Sequence, residues 1–310
     1  MRLDDIGFSD NVRDQRGRSF GGGGGFGGGG GGMFGLLFGL VLSRFGIGGV
    51  LILALGYCAF SMMSGTGGGG TGAVAPHQQS AQRSQAAGGA GGSEAERACA
   101  KDAVSGFSCR VLASTEQTWG RIFEEQGRRY QPALFTFYGG TGQSGCGVAQ
   151  SAMGPFYCPS DNSIYLDTSF FDELRTRFRA AGDFAQAYVI AHEVGHHIQQ
   201  LSGVLERANR DQGRLSAREG NAVQVRVELQ ADCYAGVWAG RNRDRMEPGD
   251  LEEGMRAAEA IGDDALQRAA QGRVAPESFT HGTSAQRMAW LRRGIETGDP
   301  ASCDTFAGPV

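Results

Sequence analysis

The sequence predicts an α+β domain behind a single N-terminal transmembrane helix. Residues 45–63 form an uncharged apolar run of 19 residues, which is long enough to cross a bilayer as a helix. Gly-rich stretches at residues 21–32 and 65–92 flank this run and cannot bury apolar surface. We therefore divide the chain into an arm and spacer (1–32), an anchor region (33–63), a flexible linker (64–93) and one globular domain (94–310).

Strand-like and helical patterns are mixed along the domain. Periodicity and turn residues predict helices at residues 99–127, 168–180, 184–201 and 222–241, and strands at residues 133–138, 156–158 and 163–167. The charged residues 203–220 are expected to form a surface helix or loop.

Basic residues are unevenly placed around the apolar run. Residues 61–82 contain no Lys or Arg, whereas the segment before residue 45 contains Arg2, Arg13, Arg16, Arg18 and Arg44. Because the basic side of a span stays in the cytoplasm, we expect a cytoplasmic N-terminus, a single crossing and an exported domain. A signal peptide is the alternative, but the run starts far from the N-terminus and no clear cleavage site follows.

The cysteine count also favours export. Cys58 lies in the apolar run, and the other six of the seven cysteines lie in the domain. An even number suggests disulfides, which persist in oxidising compartments; six buried thiols of a cytosolic enzyme are the alternative. Many connectivities are open, and the pairs chosen for their closeness in sequence are Cys99–Cys109, Cys146–Cys158 and Cys233–Cys303.

The segment AHEVGHHIQQ carries the residues with the clearest chemistry. On a helix, His192 and His196 lie four residues apart on one face and can present two imidazoles to one metal ion. Glu193 lies beside them and can act as general base toward a metal-activated water. This pattern also occurs by chance on surface helices, but apolar residues at 188–191 and at Ile198 and Leu201 indicate a buried helix.

A catalytic zinc needs a third protein ligand and an open fourth position for water. The segment ELQADCYAGVWA offers Glu228 as that ligand, and Asp232 one turn later can orient a ligating histidine. An exposed acidic face is the alternative for both, but their apolar neighbours argue against it. His197 is a second candidate ligand, although it lies about 100° from His196 around the helix. We expect one Zn²⁺ per chain.

Peptide hydrolysis also needs a donor for the oxyanion that develops on the substrate. His281, in SFTHGTSAQRMAW, can supply it, and Arg287 six residues later can supply it or give structural support. The alternative for His281 is a loop residue that caps the helix beginning near Thr283 or Ser284.

These segments closely resemble a bacterial family, the neutral zinc metallopeptidases. The matching stretches are SDNVRDQRG, GPFYCPSDNSIYLD, AHEVGHHIQQLSG, VELQADCYAGVWA and FTHGTSAQRMAWLRRG. The order His-Glu-x-x-His then Glu-x-x-x-Asp also resembles gluzincin peptidases and the prenyl-protein endopeptidases, whose His-Pro…Arg element has the same offset as His281 to Arg287. That resemblance implies a zincin-like, gluzincin-type fold in which SIYLD (163–167) is the edge strand along which substrate lies. It also implies the bacterial inner membrane, with the domain periplasmic or extracellular.

Three functions fit this pattern. The leading one is a membrane-anchored zinc endopeptidase that cleaves peptides or unfolded protein, with Glu193 as general base. The alternatives are a non-catalytic, zinc-stabilised binding protein tethered to the membrane, and a metal-dependent amidase acting on cell-wall peptide. This chain has Gly282 where the prenyl-protein group has Pro, and one convincing span, so an active site within the membrane is not expected. A net charge of −4 without a basic block argues against nucleic acid as a partner.

Overall fold

The computed structural model describes residues 1–18 and 92–310. The predicted membrane span, residues 45–63, lies outside the described residues, as does nearly all of the predicted linker. Within the two described ranges, no helix is both long enough and apolar enough to cross a membrane.

The domain combines a mixed sheet, a hairpin and a set of helices. Its strands are β1 (Val12–Asp14), β2 (Leu134–Tyr138), β3 (Thr141–Ser144), β4 (Gly147–Gln150), β5 (Phe156–Cys158) and β6 (Ser163–Asp167). Its helices are α1 (Glu94–Cys99), α2 (Ala103–Glu125), α3 (Ser169–Thr176), α4 (Asp183–Leu201), α5 (Val204–Gln212), α6 (Ala217–Arg241), α7 (Asp250–Ala260), α8 (Asp263–Gln271) and α9 (Ser284–Thr297). The mixed helix and sheet class predicted from the sequence is therefore observed.

The main sheet has the strand order β1-β2-β6-β5. β1, β2 and β6 are parallel, and β5 runs antiparallel to β6. Phe135 and Ile164 on one face pack into the main core with the helices. Tyr138 and Tyr165 on the other face pack with Ala149 of the β3–β4 hairpin. Both faces of β2 and β6 are thus covered. This explains why LFTFY and SIYLD carry apolar side chains on both faces.

One expectation about this sheet is wrong. SIYLD, which is β6, is not an edge strand because it lies between β2 and β5. The strand at that edge is β5, and Tyr157 of β5 contacts His197 of α4. Both edges of β6 are hydrogen-bonded to neighbouring strands. Its backbone therefore has no free groups that could pair with a substrate.

Helices α4 and α6 pack closely and position the candidate site. A Cβ at Gly195 would lie 2.9 Å from the carbonyl oxygen of Ala231 and 3.0 Å from its Cα. Only glycine therefore permits this approach of the two helices. Helix α6 begins earlier than predicted because Ser216 and Glu219 form a reciprocal capping box at its N-terminus.

Three disulfides link the domain. Their Cα–Cα distances are 5.9, 5.8 and 5.6 Å, within the usual range for disulfides. The pairs are those expected from closeness in sequence: Cys99–Cys109, Cys146–Cys158 and Cys233–Cys303.

The first 18 residues are part of the domain. β1 pairs with β2 in the main sheet, and the side chains of Met1, Leu3 and Ile6 are buried in the main core. The predicted separation of an arm (1–32) from a domain that begins at residue 94 is therefore wrong for residues 1–18. Strand β1 was not predicted, because it is only three residues long and its partner strand begins 120 positions later.

Candidate metal centre

Three side chains on α4 and α6 converge on one point. His192 and His196 of α4 and Glu228 of α6 offer ligand atoms that all lie within 4.8 Å of one another. Glu228 Oε2 is 3.3 Å from His192 Nε2 and 3.6 Å from His196 Nε2. Two ligands at roughly 2.0–2.1 Å from a tetrahedral zinc lie about 3.4 Å apart. These residues therefore fit one zinc ion.

Each of these three side chains has a partner that fixes its orientation. His192 Nδ1 lies 2.8 Å from Asp232 Oδ1, and His196 Nδ1 lies 2.9 Å from Gln199 Oε1. Gln224, one turn before Glu228, donates from Nε2 to Glu228 Oε1 at 2.9 Å. Because Nδ1 donates to these acceptors, the Nε2 atom of each histidine is left with its lone pair for a metal.

Asp232 is the centre of a buried polar cluster. It is fully buried and accepts hydrogen bonds from Tyr188 Oη at 2.6 Å and from Arg287 Nε and Nη2, each at 2.8 Å. Burial alone would raise the pKa of Asp232, but the charges of Arg287 and His192 lower it to about 2. Arg287, only 2% exposed, therefore supports Asp232. This contact is one that structural support requires, and the oxyanion role of Arg287 stays a prediction.

Glu193 follows His192 on α4 and is 7% exposed. Burial lowers the pKa of the neighbouring His192. Its contacts with the carboxylates of Asp232 and Glu228 outweigh burial and raise that pKa to about 10. A metal ion bound at Nε2 of His192 would compete with a proton for that atom.

His281 lies in the loop between α8 and α9. Its backbone N donates to Asp263 Oδ2 at 2.6 Å, and its Nδ1 is 3.0 Å from Thr280 Oγ1. Burial lowers the pKa of His281, but the negative charges of Glu228 and Asp263 raise it above its usual value. The capping interpretation of His281 is wrong, because Thr283 caps α9 with its own side chain.

Comparison with known proteins gives the family. The family described as "Putative neutral zinc metallopeptidase" matches residues 1–306. The chain belongs to this family. "Uncharacterized protein YpfJ" of Escherichia coli strain K12 is 50% identical over 212 residues, which cover 68% of this chain and 74% of that protein. "Uncharacterized protein Rv2575" of Mycobacterium tuberculosis strain H37Rv is 43% identical over 222 residues, which cover 66% and 73%. No solved structure matches the chain significantly.

In this zinc metallopeptidase family member, His197 does not face the metal centre. Its Nε2 donates to the carbonyl oxygen of Gln131 at 2.6 Å, and its Nδ1 lies 3.0 Å from Tyr157 Oη. Burial lowers its pKa, so the ring is neutral and joins α4 to β5. The hypothesis that His197 is a metal ligand is wrong.

A second acidic group in the described ranges already has a cation. Asp183, Asp250 and Glu253 also lie within 4.8 Å of one another. The amino group of Met1 is 2.9 Å from Asp183 and 3.2 Å from Asp250, and Glu253 accepts from the backbone N of Phe184 at 3.1 Å. We assign no metal to this group.

Sequence reasoning missed four residues of the metal centre: Tyr188, Gln199, Gln224 and Asp263. The first three lie one helical turn from His192, His196 and Glu228 respectively, so polar residues at that spacing on a buried face were a usable signal. Asp263 lies 18 residues before His281 on another helix, and no local pattern links the two.

Proposed function

We propose that the chain is a zinc-dependent endopeptidase that binds one Zn²⁺ through His192, His196 and Glu228, with water in the fourth position. The observation that carries this proposal is the convergence of three donors, each oriented by its own partner. Glu193, which follows His192 in the sequence, is 7% exposed. The order of these residues along the chain fits a gluzincin-type fold.

The roles of the side chains follow from their chemistry. Bound zinc would supply the Lewis-acid charge that makes water nucleophilic near neutral pH. The carboxylate of Glu193 accepts the proton of the attacking water. The ring of His281 donates a hydrogen bond to the oxyanion that develops on the substrate carbonyl. Asp232 and Arg287 hold His192 in place and do not touch the substrate.

An extended peptide is the substrate that fits best. The sheet edge next to α4 is β5, and an edge strand has free backbone groups that can pair with an added strand. We propose that a peptide or an unfolded protein segment lies along β5. This replaces SIYLD as the expected substrate strand.

The disulfides support an exported domain. Three disulfides fix α1 to α2, the β3–β4 turn to β5, and α6 to the segment after α9, and such bonds persist in oxidising compartments. We propose a periplasmic or extracellular domain, held at the bacterial inner membrane by the apolar region 33–63.

Zinc analysis and proteolysis of the purified full-length protein test this proposal. Glu193→Gln should retain one zinc and lower hydrolysis of fluorescent casein by about 10²–10⁴, the usual general-base contribution. His192→Ala, as the matched control, should lose the zinc as well as the activity. Equal hydrolysis by the parent and Glu193→Gln would refute the proposed role of Glu193.

The same preparation distinguishes the alternatives. Cleavage of cell-wall peptide fragments but not casein would identify an amidase. Stoichiometric zinc without hydrolysis of either would identify a binding protein. Cys233 lies near the site but is disulfide-bonded to Cys303, so it is not free to close a four-ligand structural zinc site.

A further inference from the structure

The loop that carries His281 is held by a single carboxylate. Asp263 Oδ2 accepts hydrogen bonds from three successive backbone N–H groups, those of Thr280 at 2.7 Å, His281 at 2.6 Å and Gly282 at 3.2 Å. Asp263 Oδ1 lies 3.4 Å from the Nδ1 atom of His281. Asp263 is 8% exposed. This buried side chain therefore holds the backbone of the loop and lies beside the ring of His281, whose Nδ1 is also 3.0 Å from Thr280 Oγ1.

The same loop packs against the helix that carries Glu228. Gly282 has a φ of +86°, and a Cβ there would lie 3.2 Å from Val225 Cγ1 and 3.4 Å from Leu229 Cδ2. Val225 and Leu229 flank Glu228 on α6. This packing holds the loop against the part of α6 that carries Glu228, and the negative charge of Glu228 raises the pKa of His281.

We propose that Asp263 is a positioning residue that directs the ring of His281 toward the metal centre. This rests on the proposed function, because His281 acts there as the oxyanion donor. The next residue provides a matched control. Asp264 Oδ1 accepts from the backbone N of Ser284 at 2.7 Å and from its Oγ at 2.9 Å, so it holds the start of α9 and not His281.

Full-length Asp263→Asn and Asp264→Asn, with casein as substrate, test this role. Asp263→Asn should lower kcat about 10–100-fold with little change in KM or zinc content, because the loss of an oriented donor acts on the transition state. Asp264→Asn should change kcat less than about twofold. In a His281→Ala background, Asp263→Asn should have almost no further effect on kcat, because both changes remove the same contribution. An equal effect in both backgrounds would overturn the proposal.

A second readout does not need activity. In the parent, the Nδ1 proton of His281 should give a downfield proton resonance, since a carboxylate lies beside it. Asp263→Asn should shift that resonance and Asp264→Asn should not. An unchanged resonance in Asp263→Asn overturns the positioning role. An inactive parent whose resonance shifts as expected contradicts the endopeptidase proposal and leaves the Asp263–His281 contact supported.

Residues 1–18 are hydrogen-bonded to the rest of the domain at several points. The backbone N of Gln15 donates to the carbonyl oxygen of Phe137 at 2.7 Å, and the backbone N of Phe135 donates to the carbonyl oxygen of Asn11 at 2.8 Å. The Arg16 guanidinium donates to Ser105 Oγ at 2.8 Å. These bonds join the segment to both the sheet and α2.

The two ends of the described ranges lie side by side. Arg18, the last described residue of the first range, pairs with Glu94 of α1 at 3.0 Å. Arg16 also reaches the carbonyl oxygen of Ala98 at 3.2 Å. A single crossing between residues 18 and 92 would place these partners on opposite sides of the bilayer. The expectation of a cytoplasmic N-terminus with one crossing is therefore incompatible with this pairing.

We infer that residues 1–18 lie in the same compartment as residues 92–310. The charge rule does not oppose this, because it counts basic residues within about 15–20 positions of a span. Arg18 precedes residue 45 by 27 positions, and only Arg44 adjoins the apolar run. The orientation predicted from the arginines thus rests on one residue.

Thiol labelling in intact cells stripped of their outer envelope tests this inference. In a Cys58→Ser background, Asp10→Cys places an exposed thiol in the first segment, and Glu206→Cys, whose parent side chain is 75% exposed, places one on α5. A membrane-impermeant maleimide should label both before lysis. Labelling of both only after lysis would also place them together, and would instead contradict the export of the domain. Labelling of Glu206→Cys before lysis and of Asp10→Cys only after lysis would overturn the inference.

Discussion

Asp232→Asn gives the sharpest test of the polar cluster behind the metal centre. Asp232 is fully buried and Arg287 is 2% exposed, so the substitution leaves a buried guanidinium without its counter-charge. Breaking a buried pair in this way costs about 3–5 kcal/mol. The change also weakens the hydrogen bond that orients His192. Loss of such an outer partner typically weakens metal binding about 10–100-fold.

Two measurements separate these effects. Urea denaturation in the presence of a chelator measures the free energy of unfolding of the zinc-free protein. Zinc must be absent because bound metal would add its own stabilisation. Competition against a chromophoric chelator reports zinc affinity. Arg287→Met is the matched control: it breaks the same ion pair and should destabilise the fold similarly, but it leaves the His192–Asp232 bond in place. Its zinc affinity should therefore fall less. Wild-type zinc affinity in Asp232→Asn would refute the proposed orientation of His192, and a loss of stability below about 1 kcal/mol would refute the buried ion pair.

Deletion of residues 1–18 should lower the urea midpoint of the full chain, because Leu3 and Ile6 each contribute about 1.5–3 kcal/mol by burial; an unchanged midpoint would show that the segment does not pack. Gln199→Ala should weaken zinc binding about 10–100-fold in the chelator assay through loss of the His196 contact, and unchanged affinity would contradict that role.

Burial raises the pKa of Asp263, but hydrogen bonds from His281 and neighbouring backbone outweigh it and lower that pKa. The ionised carboxylate therefore stabilises the fold above its unfolded pKa of about 3.9 and loses this effect as pH falls through the lower folded pKa. Unfolding curves below about pH 4 should consequently depend less on pH in Asp263→Asn than in the parent.

The convergence of the metal centre was predictable because helical geometry links its residues locally. His192 and His196, four apart, share a face of α4, and Glu228 and Asp232 share a face of α6 by the same rule. The packing of α4 against α6 could not be predicted from either segment alone. The glycine within the motif, Gly195, was a sign of it, because it permits contact with Ala231, but its meaning is clear only once the partner helix is known.

Three of the four strands of the main sheet, β2, β5 and β6, were predicted from the sequence, but β1 and the strand order were not. LFTFY and SIYLD carry apolar side chains at both odd and even positions, which is typical of strands covered on both faces. The resemblance to other peptidases favoured the edge, and the structure instead places β5 there. Local composition was the better guide to burial in this case.

The N-terminal segment shows why a charge pattern and a fold can disagree. Residues 1–18 contain four arginines and four aspartates, and a polar segment beside a Gly-rich stretch has no local sign of a strand. Its apolar residues Leu3, Ile6 and Val12 are too widely spaced to predict an element, yet all three are buried in the domain core. The energy that fixes this segment comes from partners more than 80 positions away, such as Ala98 and Phe137. Contacts at that separation are set by the finished core, so the placement of the segment in the domain follows from packing with distant partners and not from any pattern within the segment itself.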